Sequence, residues 1–392
     1  MGSVAASADR DLVLKAAREL APEFSARASE GEELATMPAD LVARVKTSGL
    51  FRLALPRSLG GLELDPLTMI QVIEILSEAD GSAGWTVLIG NSTAFFAWLE
   101  PSVAEAMIGT NTDFCSTSMF GPFGRALPDG SDGFTVSGRW PFNSGCPHSE
   151  WLQVGVLVMS GEGPRMRDDT SPDWRFAFVP NEVATIESTW DALGLRATGS
   201  HHLTLEAVEV PPEHMAAPIF EPARHGGPLW RLGLFDLAGI LMSGFPLGVA
   251  RRALDEFTAM AQTKFRGNPT NTVAGNGYTQ MLLGQAEARL RAARAYLTEV
   301  VSRVWETCIA GDQPPALQRA ELALAGCHAM RASLESVDSL YRLAGAEAVY
   351  TGHPLERCFR DLHAGSQHII FSPVREQEFP RIRLGIDAAD PS

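Results

Sequence analysis

GFTVSGRWPFNSGCPHSEWLQVGVLVMS, residues 133–160, is where the chain changes its period. β-Branched and aromatic residues gather in runs of a strand's length, and Gly, Pro, Asn and Ser cut the runs apart, the pattern of short paired strands. DFCSTSMF, PDGSDGFTVSGRWPF, EWLQVGVLVMS, WRFAFVP and HHLTLEAVEVP repeat it from 113 to about 222, with DG and SDG turn signals, and predict antiparallel β structure. On either side the apolar residues return every three or four positions. Upstream these are LVLKAARELAPEF, LTMIQVIEILSEAD and SAGWTVLIGNSTAFFAWLE; downstream they are GILMSGFPLGVARRALDEFTAMAQ, the long QMLLGQAEARLRAARAYLTEVVSRVWETCIA, PALQRAELALAGCHAMRASLESVDSLYRLAG and a last helix. The expected fold is therefore α+β and mainly α: a helical unit over 1–112, an antiparallel β-barrel or sandwich over 113–225, and a four-helix bundle over 226–392.

Composition narrows the function. A net charge of −15 over 392 residues leaves no basic face for nucleic acid or an anionic membrane. Five scattered cysteines without a CxxC pair suit reduced thiols and a cytoplasmic location. MGSVAASADR does not read as a secretion signal, and no apolar run approaches the roughly 20 residues that span a bilayer. GxGxxG after a strand, GxxxxGK[ST], HExxH and GxSxG are all missing, so dinucleotide folds, P-loops, zinc peptidases and α/β-hydrolases lose their main support.

Four stretches carry chemistry-bearing residues. In RDLHAGSQHI, His363 and His368 would point roughly 140° apart on a helix, which argues against one shared metal; either is a neutral base near pH 7 or a packed histidine. In SGRWPFNSGCPHSEW, Ser144 and Gly145 beside Phe142 form a strand-end turn or a close approach to a flat ligand. In WDALGLRATGSHH, Arg196 with Thr198 and Ser200 marks a phosphate or ring-edge contact, or a connector with an interdomain ion pair. KFRGNPTNT places Lys264 and Arg266 at a corner that suits a phosphate or a solvated helix end.

Taken in this order, LPRSLGG, EADGSAGW, GFTVSGRWPFNSGCPHSEW, LGLRATGSHHLTLEAVEVP and PLERCFRDLHAGSQHI resemble the acyl-CoA dehydrogenase fold, and within it the two-component flavin-dependent monooxygenases. The resemblance implies a homotetramer, a separate NAD(P)H-dependent flavin reductase as partner, reduced FAD (or FMN) with O2 as co-substrate, and an aromatic or heteroaromatic substrate such as a phenol, indole or polycycle. In the dehydrogenases a glutamate takes the α-proton of an acyl thioester; its two family positions fall here on Ile369 and Ala238, neither ionisable. In the monooxygenase branch a C4a-hydroperoxide of the flavin transfers oxygen, for which water must be excluded and a base positioned. By resemblance His368 is that base and Ser144 the hydroxyl near flavin N5 that holds the hydroperoxide. Phe142, Ser116, Thr117 and Arg266 complete the expected flavin contacts, and Asn91, Ser92, Phe95, Met119 and Phe120 the expected substrate cavity. Two rivals stand beside this reading: an acyl-CoA dehydrogenase with a base from elsewhere, and a catalytically silent ligand-binding relative.

Overall fold

The computed structural model describes residues 2–111, 113–130, 133–265 and 271–386. The helices are α1 (Gly2–Ala26), α2 (Ala28–Leu34), α3 (Ala39–Thr47), α4 (Pro66–Ala79), α5 (Gly81–Gly90) and α6 (Pro101–Ile108), followed by α7 (Leu234–Thr263), α8 (Gly277–Ala310), α9 (Ala316–Ala344), α10 (Pro354–Gly365), α11 (Pro373–Glu376) and α12 (Glu378–Arg383). Between the two sets lie β1 (Ser116–Pro128), β2 (Phe134–Asn143), β3 (Trp151–Ser160), β4 (Gly163–Pro164), β5 (Trp174–Pro180), β6 (Thr185–Glu187), β7 (His201–Val210) and β8 (Met215–Ala216). The strand order is β6-β7-β2-β1-β3-β5-β8, with β4 beside β3.

The sheet departs from the expected antiparallel pattern at one pair: β1 and β3 run parallel, Ser116 opposite Trp151, with a register shift between Met119 and Gly124. Parallel neighbours need a crossover; here β2 makes it, antiparallel to β1 on the other side. One face of the strands converges on a core of Val136, Trp140, Leu152, Val154, Val179 and Leu203, so strands from both ends of the order share one apolar interior. From the opposite face Phe176 and Phe178 join the core of the helical units.

Helix ends follow local chemistry. Asp65 caps α4 through Thr68 N at 2.9 Å, with Pro66 in the first turn, where a missing N–H costs nothing. Asp80 ends α4 and caps α5 through Ala83 N at 2.8 Å, splitting one apolar run into two helices and turning Trp85 inward. Helices α4 and α7 approach so closely that a Cβ on Gly248 would lie 2.3 Å from Glu74 O. Helix α7 also corrects the expectation that no stretch matches a membrane span. Among the described residues it is the one helix long and apolar enough to cross a bilayer, but 83% of its apolar window is buried inside the fold, as befits a bundle's central helix.

Candidate active site

Ser144 sits just past the end of β2, where Phe142 holds a φ of +60° and the chain folds back through Ser144 N to Phe142 O at 3.0 Å. The serine is buried, and its hydroxyl belongs to a chain of hydrogen bonds whose direction can be read off. Thr198 Oγ1 donates to the carbonyl of Leu195 at 2.8 Å, which only accepts. Ser200 Oγ must then donate to Thr198 at 2.6 Å, and Ser144 Oγ to Ser200 at 2.7 Å. Trp85 Nε1, donor only, completes the row by donating to Ser144 Oγ at 3.1 Å. Ser144 thus has its proton committed and one lone pair left, so it meets a ligand as an acceptor. Thr117 steadies the same turn by donating to Ser144 O at 2.6 Å.

Trp85 links this hydroxyl to His368. Its ring packs edge-on against the imidazole at 5.7 Å and against Phe245 at 5.0 Å. The two histidines of RDLHAGSQHI do not share a helix, as the sequence suggested, because α10 ends at Gly365. Gly365, where a Cβ would lie 2.4 Å from Phe245, is the last residue of α10, and His368 follows on a short connector. His363 turns into the bundle, with Nε2 2.9 Å from Asp338 and its ring 4.3 Å from Phe359. His368 Nδ1 accepts the backbone N–H of Ile370 at 3.2 Å. A backbone N–H can only donate, so the proton of the neutral ring resides on Nε2. Burial, aided by the positive charge of Arg375, pushes this imidazole down to about 4 and keeps it neutral near pH 7. The expected base is therefore, in this arrangement, a neutral hydrogen-bond donor at Nε2.

The loop that carries Thr198 and Ser200 is clamped by α10. Leu195 N donates to Asp361 Oδ1 at 2.6 Å, Arg360 Nη1 donates to Leu193 O at 2.9 Å, and a Cβ on Gly194 would lie 2.1 Å from Arg360 O. The interdomain bridge at this loop is made by Arg360, which also pairs with Glu32 at 2.9 Å, while Arg196 donates to Ala192 O at 3.4 Å. Burial and the nearby Asp80 push the Asp361 carboxyl up, to about 8. His201 accepts the backbone N–H groups of Thr189 and Trp190 at 3.2 and 3.1 Å.

The remaining expected residues divide. Phe142 is 60% exposed, with Trp190 and His202 edge-on at 6.4 and 6.2 Å. Phe95 and Phe120 meet at 5.7 Å in an aromatic wall that Phe176 and Phe235 extend. Ser92 is held on Ser118 at 2.8 Å, and Met119 packs against the sheet's inner core. Two placements are corrected. Asn91 does not face a cavity: it is buried, accepts from Leu53 N, and donates to Leu50 O and Val87 O, so all its polar groups are engaged with backbone. Ser116 alternates with Thr117 along β1 and so faces the other way, fully buried and accepting from Gln153 at 3.1 Å. Arg266 lies outside the described residues. Trp85 was missed; the cue was an indole in an apolar helix, since a buried N–H needs a partner.

Ile369 is 64% exposed and Ala238 is buried on α7. Residues 7–100 match the family model "Acyl-CoA dehydrogenase, N-terminal domain", and residues 240–373 match "Acyl-CoA dehydrogenase, C-terminal domain". The chain is 32% identical to indole-3-acetate monooxygenase of Pseudomonas putida over 90% of its length and 88% of that protein's. It is 28% identical to the flavin-dependent monooxygenase, oxygenase subunit HsaA, of Rhodococcus jostii, over 91% of this chain and 94% of the other. A solved structure of XiaF from Streptomyces sp. in complex with FADH2 and glycerol superposes with a TM-score of 0.90 at 23% identity, covering 100% of this chain and 99% of that one.

Proposed function

The chain belongs to the acyl-CoA dehydrogenase family, in its flavin-dependent monooxygenase branch, and we propose that it hydroxylates an aromatic or heteroaromatic small molecule with Ser144 and His368 as the working pair. The observation that carries this assignment of roles is the shared indole. Trp85 joins Ser144 to His368, while the two places where a dehydrogenase keeps its glutamate hold Ile369 and Ala238. The arrangement has groups for orienting and donating hydrogen bonds but no carboxylate at either place to strip a proton from carbon.

The residues present fit a flavin. A phenylalanine held at positive φ and left largely exposed is costly unless something flat covers it, and the free lone pair of Ser144 matches the N–H that reduced flavin carries at N5. Ser144, Thr117 and Phe142 would hold the ring system. When bound, reduced flavin supplies two electrons to dioxygen, so that one oxygen atom enters the substrate's C–H bond to give C–OH and the other leaves as water. His368 holds a proton at Nε2 for the departing oxygen. The wall of Phe95, Phe120, Phe176 and Phe235 keeps water out and offers ring edges to an aromatic guest. The flavin in this reading is FAD rather than FMN, supplied by a separate reductase, and the oxygenase works as a cytoplasmic homotetramer. The relative named an oxygenase subunit supports the separate reductase.

The test is to mix the protein with reduced FAD, air and a panel of indoles and phenols. A product heavier by one oxygen atom, labelled when the dioxygen is labelled, is the expected result. Reduction of oxidised flavin by an acyl-CoA, without any reductase, would instead establish a dehydrogenase.

A further inference from the structure

The row of hydrogen bonds that fixes Ser144 closes on itself through two buried carboxylates. Trp85, at its donor end, is carried by α5, and Asp80 caps that helix through Ala83 N at 2.8 Å. Leu195, at its acceptor end, gives its own N–H to Asp361 Oδ1 at 2.6 Å. The second oxygen of Asp361 faces Gly81, the residue after Asp80, so closely that a Cβ there would lie 2.7 Å from Oδ2. Two more contacts tighten the ring. Ala197 N donates to Ser82 Oγ at 3.3 Å, and Gly145 N, next to Ser144, donates to Thr198 O at 2.8 Å. Leu195 itself sits at a φ of +54°, a left-handed conformation that persists in a leucine only where the surroundings hold it.

Asp80 and Asp361 are 6% and 1% exposed. Among the described residues no cation is bonded to either. Arg357 and Arg360 of α10 pair with Glu32 of α2 at 3.2 and 2.9 Å, and Arg252 of α7 pairs with Glu256 at 3.2 Å. The neighbouring Cys358 thiol, pushed up to about 12 by burial, stays neutral. Two carboxylates buried together without a bonded cation cannot both ionise, so one proton is retained between them.

We propose that Asp361, together with Asp80, is a positioning residue for oxygen transfer: the proton the pair holds keeps α5 and the Leu195–Ser200 loop at the spacing that aims the free lone pair of Ser144. The inference rests on the oxygenase reading for what Ser144 does. Loss of that proton places two like charges at the first turn of α5, which drives the turn and the loop apart and breaks the row between Trp85 and Leu195.

The flavin-free, full-length protein tests this without turnover. In heteronuclear NMR with isotope-labelled tryptophan, the indole N–H signal of Trp85 is identified by its loss in Trp85→Phe. It should move between about pH 6 and about pH 10 with a midpoint near 8, where burial and the facing Asp80 place Asp361. His368, also in contact with Trp85, is pushed down to about 4 and does not titrate in this window. Asp361→Asn should hold the signal at its low-pH position throughout, and Asp80→Asn, which removes the facing charge, should lower the midpoint. In turnover of a substrate with no titratable group in this range, product per reduced flavin should fall roughly threefold to tenfold between about pH 7 and about pH 9, with hydrogen peroxide taking its place. In Asp361→Asn the same ratio should stay flat.

A Trp85 signal that does not move in wild type overturns the inference even if no variant folds. Movement that persists in Asp361→Asn, or a midpoint unchanged in Asp80→Asn, overturns it as well, because the pair would not be its source. Movement as expected with product per flavin independent of pH would show that the pair does not position the reaction. Movement governed by Asp361 with no oxygenated product at any pH would leave the pair's hold on the row standing and sink the oxygenase reading instead.

Discussion

The two sides of the site are built on opposite principles. Around Ser144 every proton is assigned: Trp85, Ser144, Ser200, Thr198 and Leu195 form a row in which each hydroxyl gives once and receives once. Around Arg375 the Nε atom has no hydrogen-bond partner, while the neighbouring acids Asp236 and Glu376 are paired with other arginines. A saturated network fixes geometry, because moving any member leaves a buried polar group unpaired. The contrast separates the part of the site whose geometry the fold fixes from the part it leaves open.

Removing the group that faces both sides is expected to have the largest effect. His368→Ala should lower product formation on the order of 100-fold or more, measured as oxygenated product per reduced flavin consumed. His368→Gln separates a donor from a base, since an amide N–H near the Nε2 position donates but cannot take up a proton. Substantial recovery relative to alanine supports the donor, and equal loss restores the base. Trp85→Phe keeps the ring and deletes one hydrogen bond. Roughly tenfold less product is expected, about the rate equivalent of one buried bond, with hydrogen peroxide appearing instead of product. If Trp85→Phe is silent, the saturated row does not orient Ser144.

Asn91→Ala sharpens the boundary of the site. It should cost about 2 kcal/mol or more in unfolding experiments, because three backbone groups lose partners, while KM for the aromatic substrate stays unchanged. A raised KM would return Asn91 to the cavity. The smallest effect concerns Asp361, whose carboxyl the fold holds above the ordinary range. Such a group adds stability that is complete below the unfolded carboxylate's pKa and is lost as pH rises through about 8. Asp361→Asn keeps an acceptor for Leu195 N and should flatten that part of the stability profile. An unchanged slope would show that the clamp does not titrate.

Much of this was legible in the residues. The change of period near 113 located the sheet, and the vacancies at 369 and 238 located the missing acid. His368 and Ser144 were singled out from motif positions, and both contact one indole, that of Trp85. What stayed hidden were properties fixed by direction rather than by composition. Ser116 and Thr117 are adjacent and chemically alike, and only the strand's alternation decides which reaches Ser144. Asn91 was placed in the cavity by its position alone, yet a carboxamide also suits three stray backbone groups. The parallel pairing of β1 with β3 leaves no mark on local pattern, since it depends on strands brought together by a crossover.

Trp85 touches Ser144, 59 positions further along the chain, and His368, far beyond that towards the other end. No short fragment of the polypeptide contains the assembled centre. Loop-closure entropy makes contacts of such separation late events in folding, so competence for chemistry should return only with the final docking of the last segment, well after helix content is regained. A protease nick between α9 and α10 would abolish turnover while leaving most of the helical signal in place.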